Sequence, residues 1–292
     1  MKENININPQ ASTDNLCPVD LQVTLPPKRI ISVSGGKDST ALALWAKENL
    51  KDFTPVFCDT HWEHEITYAY LGYLNDKLFE GKLEIVSSNK YKSFQEMCIK
   101  KKRVPSTMAR FCTEELKLKP MKKFIEQFLP NVEIYVGVRA DESFSRSKLP
   151  ERAFADYYGC DMIRPLIKWS AEDCFDIMKK HNIEPNPLYK MGMKRVGCMP
   201  CIMVSKPELK NILNQFPEVV AKIAAIEKQL GRTFFPPKFI PDRYCSKRDE
   251  KTGVPICFIE DVVKYVRDDP DQIKMFDEPE GESCMSYYSI CE

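Results

Sequence analysis

The chain has 292 residues, 43% of them hydrophobic, which is enough apolar material for one large or two small domains. Residues 1–28 contain no apolar signal segment, and no run approaches the roughly 20 apolar residues of a membrane-spanning helix. We therefore expect a cytoplasmic protein without a membrane span. Twelve cysteines in a chain of this size, without a signal peptide, favour metal binding, redox chemistry or burial over a disulfide scaffold.

The first predicted unit is a strand, a turn and a helix. The β-branched run at residues 29–33 predicts a buried strand, and the Ala/Leu spacing of residues 40–46 predicts a helix. Glycines in a turn between them let the backbone approach an anion, and the positive end of the helix stabilises its charge. An ordinary βα turn is the alternative interpretation. The predicted phosphate-binding residues are Ser34, Gly35, Gly36, Lys37, Asp38 and Ser39.

Strands and helices continue to alternate along the chain. This alternation predicts an α/β fold, an open parallel sheet with helices on both faces. In such sheets, ligands bind outside the carboxyl ends of the strands. The further predicted strands cover residues 54–58, 83–86 and 132–138, and the predicted helices between them cover 65–78, 94–100 and 113–128.

Charged side chains follow the carboxyl ends of these predicted strands. Asp38 and Asp59 are placed where two carboxylates would hold Mg²⁺ beside a polyphosphate. Each alone is more typical of a helix cap or turn, but together with the glycine loop they favour the metal site. Arg139 and Arg146 carry guanidinium groups, which suit bidentate recognition of phosphate or sulfate. We expect the glycine loop, Asp59 and residues 137–139 to share one crevice.

The later part of the chain is predicted to be mainly helical. A capping box at residues 170–173 begins a helix that runs to residue 180, and residues 206–230 form a helix broken at Pro217. Residues 256–259 are predicted to form a short strand. We divide the chain into three predicted parts: a polar leader at 1–28, a nucleotide-binding domain at 29–205, and a C-terminal helical region with an acidic tail at 206–292.

The cysteines divide by context. Cys198 and Cys201 form a C-x-x-C pair in a loop rich in Pro and Gly, a spacing that lets two thiolates reach one metal or form one disulfide. Cys112 and Cys160 are the best candidates to complete a four-cysteine site. Two cysteines near the end of the chain are a further candidate pair for handling sulfur, Cys284 and Cys291.

A basic block lies at residues 100–123. It contains nine basic residues against Glu114 and Glu115, while the net charge of the chain is only +1. Because the block adjoins other candidate site residues, we expect it to hold phosphates or a nucleic-acid backbone. A solvated helix face is the alternative.

The glycine loop reads S-G-G-x-D-S, which lacks the spacing of the ordinary P-loop and of the dinucleotide fingerprint. It resembles the pyrophosphate loop of the ATP pyrophosphatases and of the adenylyl-sulfate and phosphoadenylyl-sulfate (PAPS) reductases. With five further segments in the expected order, residues 29–205 resemble the PAPS reductase family in the broad sense, which includes the ATP pyrophosphatases of DNA phosphorothioation systems. The segments are RFCT at 110–113, GVR at 137–139, RPLI at 164–167, NPLY at 186–189 and GCMPC at 197–201.

The resemblance implies an adenine nucleotide α-hydrolase fold, chemistry at the α-phosphate of ATP and, in members with such cysteines, a [4Fe–4S] cluster. Two departures weaken sulfonucleotide reduction. No C-terminal E-C-G-x-H string is present, and Phe111 stands where iron–sulfur reductases have the first cysteine of a Cys-Cys pair.

We therefore expect an ATP pyrophosphatase that adenylates an acceptor, so that sulfur from a cysteine desulfurase or another donor protein can replace the activated oxygen. DNA phosphorothioation is the favoured setting and tRNA thiolation the lesser one. Two alternatives remain: a PAPS or adenylyl-sulfate reductase with Cys291 as nucleophile, and a non-enzymatic nucleotide- or cluster-binding subunit. The residues expected to act in catalysis are Lys37, Asp38, Arg139 and Arg146.

Overall fold

The computed structural model describes residues 26–268 of the chain. Most of the predicted leader, the end of the acidic tail and the pair Cys284 and Cys291 lie outside these residues. Six strands form one sheet, and a two-stranded hairpin lies apart from it. The sheet strands are β1 (Lys28–Val33), β2 (Thr54–Asp59), β3 (Glu84–Ser87), β4 (Val132–Tyr135), β5 (Arg152–Ala155) and β6 (Cys160–Ile163), and the hairpin strands are β7 (Lys247–Arg248) and β8 (Pro255–Ile256).

The order of strands across the sheet is β3-β2-β1-β4-β6-β5. All neighbouring pairs are parallel except β5 with β6. The helices are α1 (Lys37–Asn49), α2 (Glu65–Lys77), α3 (Phe94–Lys101), α4 (Phe111–Thr113), α5 (Lys119–Ile125), α6 (Ala171–Lys180), α7 (Pro187–Lys190), α8 (Lys206–Gln215), α9 (Glu218–Leu230) and α10 (Ile259–Asp268).

Helices cover both faces of the sheet, as the alternating pattern predicts. Neighbouring strand residues point to opposite faces, and Ile30 and Ile31 accordingly belong to different cores. Ile31 packs with α1, α2 and α6, whereas Ile30 packs with Met121 and Ile125 on α5. The α/β prediction with a mainly parallel sheet is therefore confirmed.

Three local predictions need correction. The predicted helix at 113–128 is interrupted by the π-helical segment Glu114–Leu118, which joins α4 to α5. The antiparallel pair β5 and β6 was not predicted. The predicted strand at 256–259 is wrong in its second half, because α10 begins at Ile259. The capping box is confirmed, since Ser170 and Asp173 cap α6 reciprocally.

The C-terminal helices share a core with residues from the first half of the chain. Side chains of α8, α9 and α10 pack in one cluster with Trp62, Phe94 and Met97. The region after residue 205 therefore buries its apolar surface against residues that precede it, while the predicted domain boundaries remain a prediction. Within residues 26–268, no helix has the length and apolarity needed to cross a bilayer.

The buried carboxylate of Glu227, on α9, forms a hydrogen bond with the first residue of α10. The side chain is 2% exposed and accepts hydrogen bonds from the backbone N–H groups of Phe234 (2.7 Å) and Ile259 (2.8 Å). Burial raises the pKa of Glu227 from 4.5 to about 7. Between pH 4.5 and about pH 7 the folded protein keeps a proton on Glu227 that the unfolded chain has released. The free energy of unfolding therefore falls as the pH rises through this range.

We expect this group to lower the free energy of unfolding by at most about 3 kcal/mol as the pH rises through that window. The decline should be absent in Glu227→Gln. Urea unfolding of both proteins at about pH 5 and about pH 8 measures the difference. An identical pH dependence in the two proteins would show that Glu227 does not titrate in this way.

Candidate nucleotide site

The glycine loop joins β1 to α1 at the carboxyl edge of the sheet. Gly35 has a φ of +80°, and a Cβ atom there would lie 3.2 Å from Thr67 Cγ2, so both conformation and space favour glycine. Ser39 Oγ accepts a hydrogen bond from Ser34 Oγ (3.0 Å) and donates to the Gly36 carbonyl (3.1 Å). These bonds shape the loop around the N-terminus of α1, which is the end of a helix that attracts anions.

A buried ion pair holds this loop to the segment after β4. Arg139 Nε donates to Asp38 Oδ1 at 2.6 Å, and the two residues are 4% and 0% exposed. Lys37 Nζ lies 3.2 Å from the other carboxylate oxygen of Asp38. A Cβ atom at Gly137 would lie 2.7 Å from the Asp38 carbonyl oxygen, so glycine is required for this close approach. The loop and residues 137–139 therefore share one edge, as predicted.

The ion pairs change the interpretation of three predicted site residues. Arg139 Nη1 also donates to Asp141, and Arg146 pairs with Glu142. Asp38 is buried and paired with Arg139, whereas Asp59 lies in a separate set of hydrogen bonds at the end of β2, and the predicted magnesium pair remains a prediction. Each guanidinium has five N–H donors, so these ion pairs do not by themselves exclude contact with phosphate. Their catalytic role remains a prediction.

Asp59 belongs to an acidic cluster at the end of β2. Tyr68 Oη donates to Asp59 Oδ1 (2.7 Å) and to Glu63 Oε2 (3.1 Å), and Thr60 Oγ1 donates to Glu63 Oε1 (2.8 Å). Burial, and then the Glu63 charge, raise the pKa of Tyr68, which keeps the phenol protonated as a donor. Of this cluster we predicted only Asp59. The spacing of Asp59, Thr60 and Glu63 directly after a strand was the available signal.

Three of the four predicted cysteine ligands line one cavity beside this cluster. Cys198 Sγ lies 3.6 Å from both Glu63 Oε1 and Thr60 Oγ1, and an isolated β-bridge joins Glu63 to Cys198. Burial raises the pKa of the Cys198 thiol. The cavity is lined by Thr60, Trp62, Phe94, Arg110, Cys112, Thr113, Leu116, Lys117, Cys198, Pro200, Cys201, Ile202 and Met203.

Cys160 lies at the opposite edge of the sheet. It is the first residue of β6, whereas the cysteine cavity adjoins the residues that follow the last residue of β2. Since β1, β2, β4 and β6 run in the same direction, these positions are on opposite edges. The prediction that Cys160 completes a four-cysteine site is therefore wrong. In residues 26–268, no three or more His, Cys, Asp or Glu side chains are arranged as a metal-binding group.

The chain is similar to a known domain family and to several known proteins. Residues 28–204 match the phosphoadenosine phosphosulfate reductase domain. A 37.8 kDa protein from the gpa 5' region of Escherichia phage 186, described as uncharacterized, is 36% identical over 282 residues, which cover 77% of this chain and 84% of that protein. An uncharacterized protein of Methanocaldococcus jannaschii is 29% identical over 202 residues, 68% of this chain and 47% of its own length.

Named reductases are also similar to this chain. The phosphoadenosine 5'-phosphosulfate reductase of Buchnera aphidicola is 29% identical over 176 residues, 59% of this chain and 70% of that protein. The crystal structure of the PAPS reductase of Candida auris, in complex with phosphate, aligns with a TM-score of 0.48 and 18% identity over 61% of this chain and 84% of that one.

The six-stranded sheet with helices on both faces and a glycine loop after β1 define an α/β protein. The chain belongs to the phosphoadenosine phosphosulfate reductase domain family. This identification confirms the broad resemblance stated from the sequence.

Proposed function

We propose that this protein is an ATP pyrophosphatase that adenylates an acceptor so that sulfur can be inserted. The observation that carries the proposal is the S-G-G-K-D-S loop, with Gly35 in the left-handed conformation at the N-terminus of α1. An acceptor oxygen would attack the α-phosphorus of ATP, the bond to the bridging oxygen would break, and pyrophosphate would leave onto the loop. Lys37 would offset the charge that develops on the leaving group. Mg²⁺ would arrive bound to ATP and offset the charge of its phosphates.

For the acceptor we propose a nucleic acid, with DNA favoured over tRNA. Within the predicted basic block, Lys100 and Lys101 are ion-paired with Glu96 (3.0 Å) and Glu115 (3.1 Å), which reduces their availability. A groove between β3 and α5 is the better surface, because it is lined by Lys90 and Lys123, which are in none of the described ion pairs, as well as by Lys119, which pairs with Glu114 (2.9 Å) and Glu115 (3.2 Å). It also contains Ser87, which stands beside Asp59 in the strand register and so connects the groove to the nucleotide edge.

Reversing two charges in this groove should weaken DNA binding. We expect Lys90→Glu with Lys123→Glu to reduce affinity about tenfold or more at low salt and to lower the salt slope by about two. The matched control is Lys179→Glu with Lys228→Glu, an equal charge change at exposed positions on α6 and α9. Anisotropy titrations with a labelled duplex measure both. Equal loss of DNA affinity in the two double variants would show that the groove is not the DNA-binding surface.

We place the sulfur chemistry at the cavity that holds Cys112, Cys198 and Cys201, with a cysteine desulfurase or another sulfur donor as partner. The three cysteines line one cavity but are not arranged as a metal-binding group in residues 26–268, so their thiolates would have to converge to hold three corners of an iron–sulfur cluster. Such a group would supply electron transfer or sulfur binding. The chain would hold such a group through these three residues. A fourth ligand is not assigned.

The iron content of anaerobically purified protein tests this assignment. We expect about three to four irons per chain, with most of the iron lost in Cys198→Ser and none lost in Cys160→Ser, the matched control at the other edge of the sheet. Colourless protein with stoichiometric zinc would refute the cluster. Iron loss in Cys160→Ser would restore that residue to the ligand set.

A PAPS or adenylyl-sulfate reductase is the second candidate function, favoured by the family and by relatives that bear this name. Two assays separate the functions. The first measures pyrophosphate released from ATP with duplex DNA, with tRNA and with no acceptor. The second measures thioredoxin-dependent release of sulfite from PAPS or adenylyl sulfate. Acceptor-dependent pyrophosphate supports the proposal. Release of sulfite without pyrophosphate would support the reductase instead. The absence of both products would favour a non-enzymatic subunit.

A further inference from the structure

The Tyr189 hydroxyl accepts a hydrogen bond from a backbone N–H of the glycine loop. The Lys37 N–H, at the first residue of α1, donates to Tyr189 Oη at 2.8 Å, although the two residues are 152 positions apart in the chain. Gly36, the N-cap of this helix, provides no side-chain cap. The phenol oxygen of α7 therefore caps the helix at a place where an anion is expected to bind.

A second contact fixes α7 above the loop. Asn186, 1% exposed, donates from Nδ2 to the Gly35 carbonyl (3.1 Å) and accepts from the Leu188 N–H (3.0 Å) as the N-cap of α7. Lys37 Nζ lies 5.8 Å from the centroid of the Tyr189 ring. Asn186 thus binds the Gly35 carbonyl and Tyr189 binds the Lys37 N–H of the same loop. The position of α7 therefore depends on the conformation of the loop.

The segment that continues from α7 ends in the cysteine cavity. The Met199 N–H donates to the Trp62 carbonyl (2.9 Å), and Trp62 Nε1 donates to the Pro200 carbonyl (3.1 Å). Cys198, between them and α7, forms the β-bridge with Glu63. One stretch of chain is therefore attached to the glycine loop at its beginning and to the acidic cluster and cysteine cavity at its end.

We propose that the Tyr189 hydroxyl accepts the hydrogen bond of the Lys37 N–H in the place of a phosphate oxygen, and that a bound pyrophosphate group displaces this hydroxyl. The released α7 then shifts the segment that carries Cys198 and Cys201. The inference rests on the proposed function, since it needs a pyrophosphate group at the loop. A charged phosphate oxygen is a stronger acceptor than a neutral phenol, and one N–H makes one linear hydrogen bond. Binding of a pyrophosphate group at the glycine loop in this way changes the position of the cysteines in the cavity.

The affinity for inorganic pyrophosphate tests the displacement. Tyr189→Phe keeps the ring but removes the competing hydroxyl, so we expect calorimetry to show pyrophosphate binding about three- to tenfold tighter than in the wild type. The matched control is Tyr73→Phe, which removes a hydroxyl that accepts from the Glu184 N–H (3.2 Å) before α7 and does not touch the loop. Its affinity should equal that of the wild type.

Hydrogen exchange tests the coupling. In the wild type, pyrophosphate should speed exchange in peptides covering residues 190–201, and Tyr189→Phe should exchange at the faster rate without pyrophosphate. Unchanged or weaker pyrophosphate binding in Tyr189→Phe would overturn the displacement and leave the proposed function standing. Unchanged exchange in the wild type on binding would overturn the coupling. Failure of both wild type and Tyr189→Phe to bind pyrophosphate would contradict the proposed function itself, and this inference with it.

Discussion

Replacement of Arg139 by methionine is expected to lower the free energy of unfolding by about 3–5 kcal/mol, because it leaves the buried Asp38 carboxylate without its main partner. Asp38 is 0% exposed, so water cannot replace the guanidinium. The loss should also loosen the attachment of the glycine loop to the segment after β4. Chemical denaturation at neutral pH measures the change in stability.

Arg152→Met is the matched control for this prediction. Arg152 also forms two ion pairs, with Glu133 (2.9 Å) and Asp161 (2.6 Å), but its side chain is 58% exposed. Exposed pairs contribute about 0–1 kcal/mol, so the control should unfold almost like the wild type. Equal destabilisation by the two variants would mean that burial of the Arg139–Asp38 pair does not decide its contribution.

Gly35→Val is expected to abolish ATP binding and turnover. Gly35 has a φ of +80°, which a β-branched residue adopts only with strain, and its Cβ would press on Thr67. The loop would then be unable to keep the backbone donors in the arrangement that a phosphate requires. Calorimetric titration with Mg·ATP measures the loss.

Gly81→Val separates loss of the site from general strain. Gly81 has the same φ of +80°, and no atom lies within 4 Å of the position that a Cβ would take there. The backbone penalty is therefore similar, but the nucleotide site is untouched. We expect Gly81→Val to lose stability yet to bind ATP with the affinity of the wild type. If Gly35→Val also binds ATP normally, the glycine loop is not the nucleotide site.

The sheet and the loop could be predicted because their signals are local. The apolar run of β1, the glycines after it and the Ala/Leu spacing of α1 all lie within one short stretch, and each agrees with the others. The pair β5 and β6 was missed because each strand has only four residues and alternation is weak over that length. The π-helical segment Glu114–Leu118 carries no periodic signal of its own.

The pairing of side chains across the site could not be predicted in the same way. Asp38 and Arg139 were both assigned to ligand binding, but the fold turns their charges toward each other. Cys160 was grouped with the other cysteines by residue type, whereas the direction of β6 places it at the far edge of the sheet. The bond from Lys37 to Tyr189 likewise depends on how distant segments pack.

The products formed from ATP labelled at the α-phosphate test the central claim most directly. The proposed function predicts that the label appears in AMP or in an adenylated acceptor, with an equal amount of pyrophosphate released, and that Gly35→Val forms neither. Label recovered in ADP, with release of inorganic phosphate, would contradict cleavage at the α-phosphate and with it the assignment of the loop to pyrophosphate.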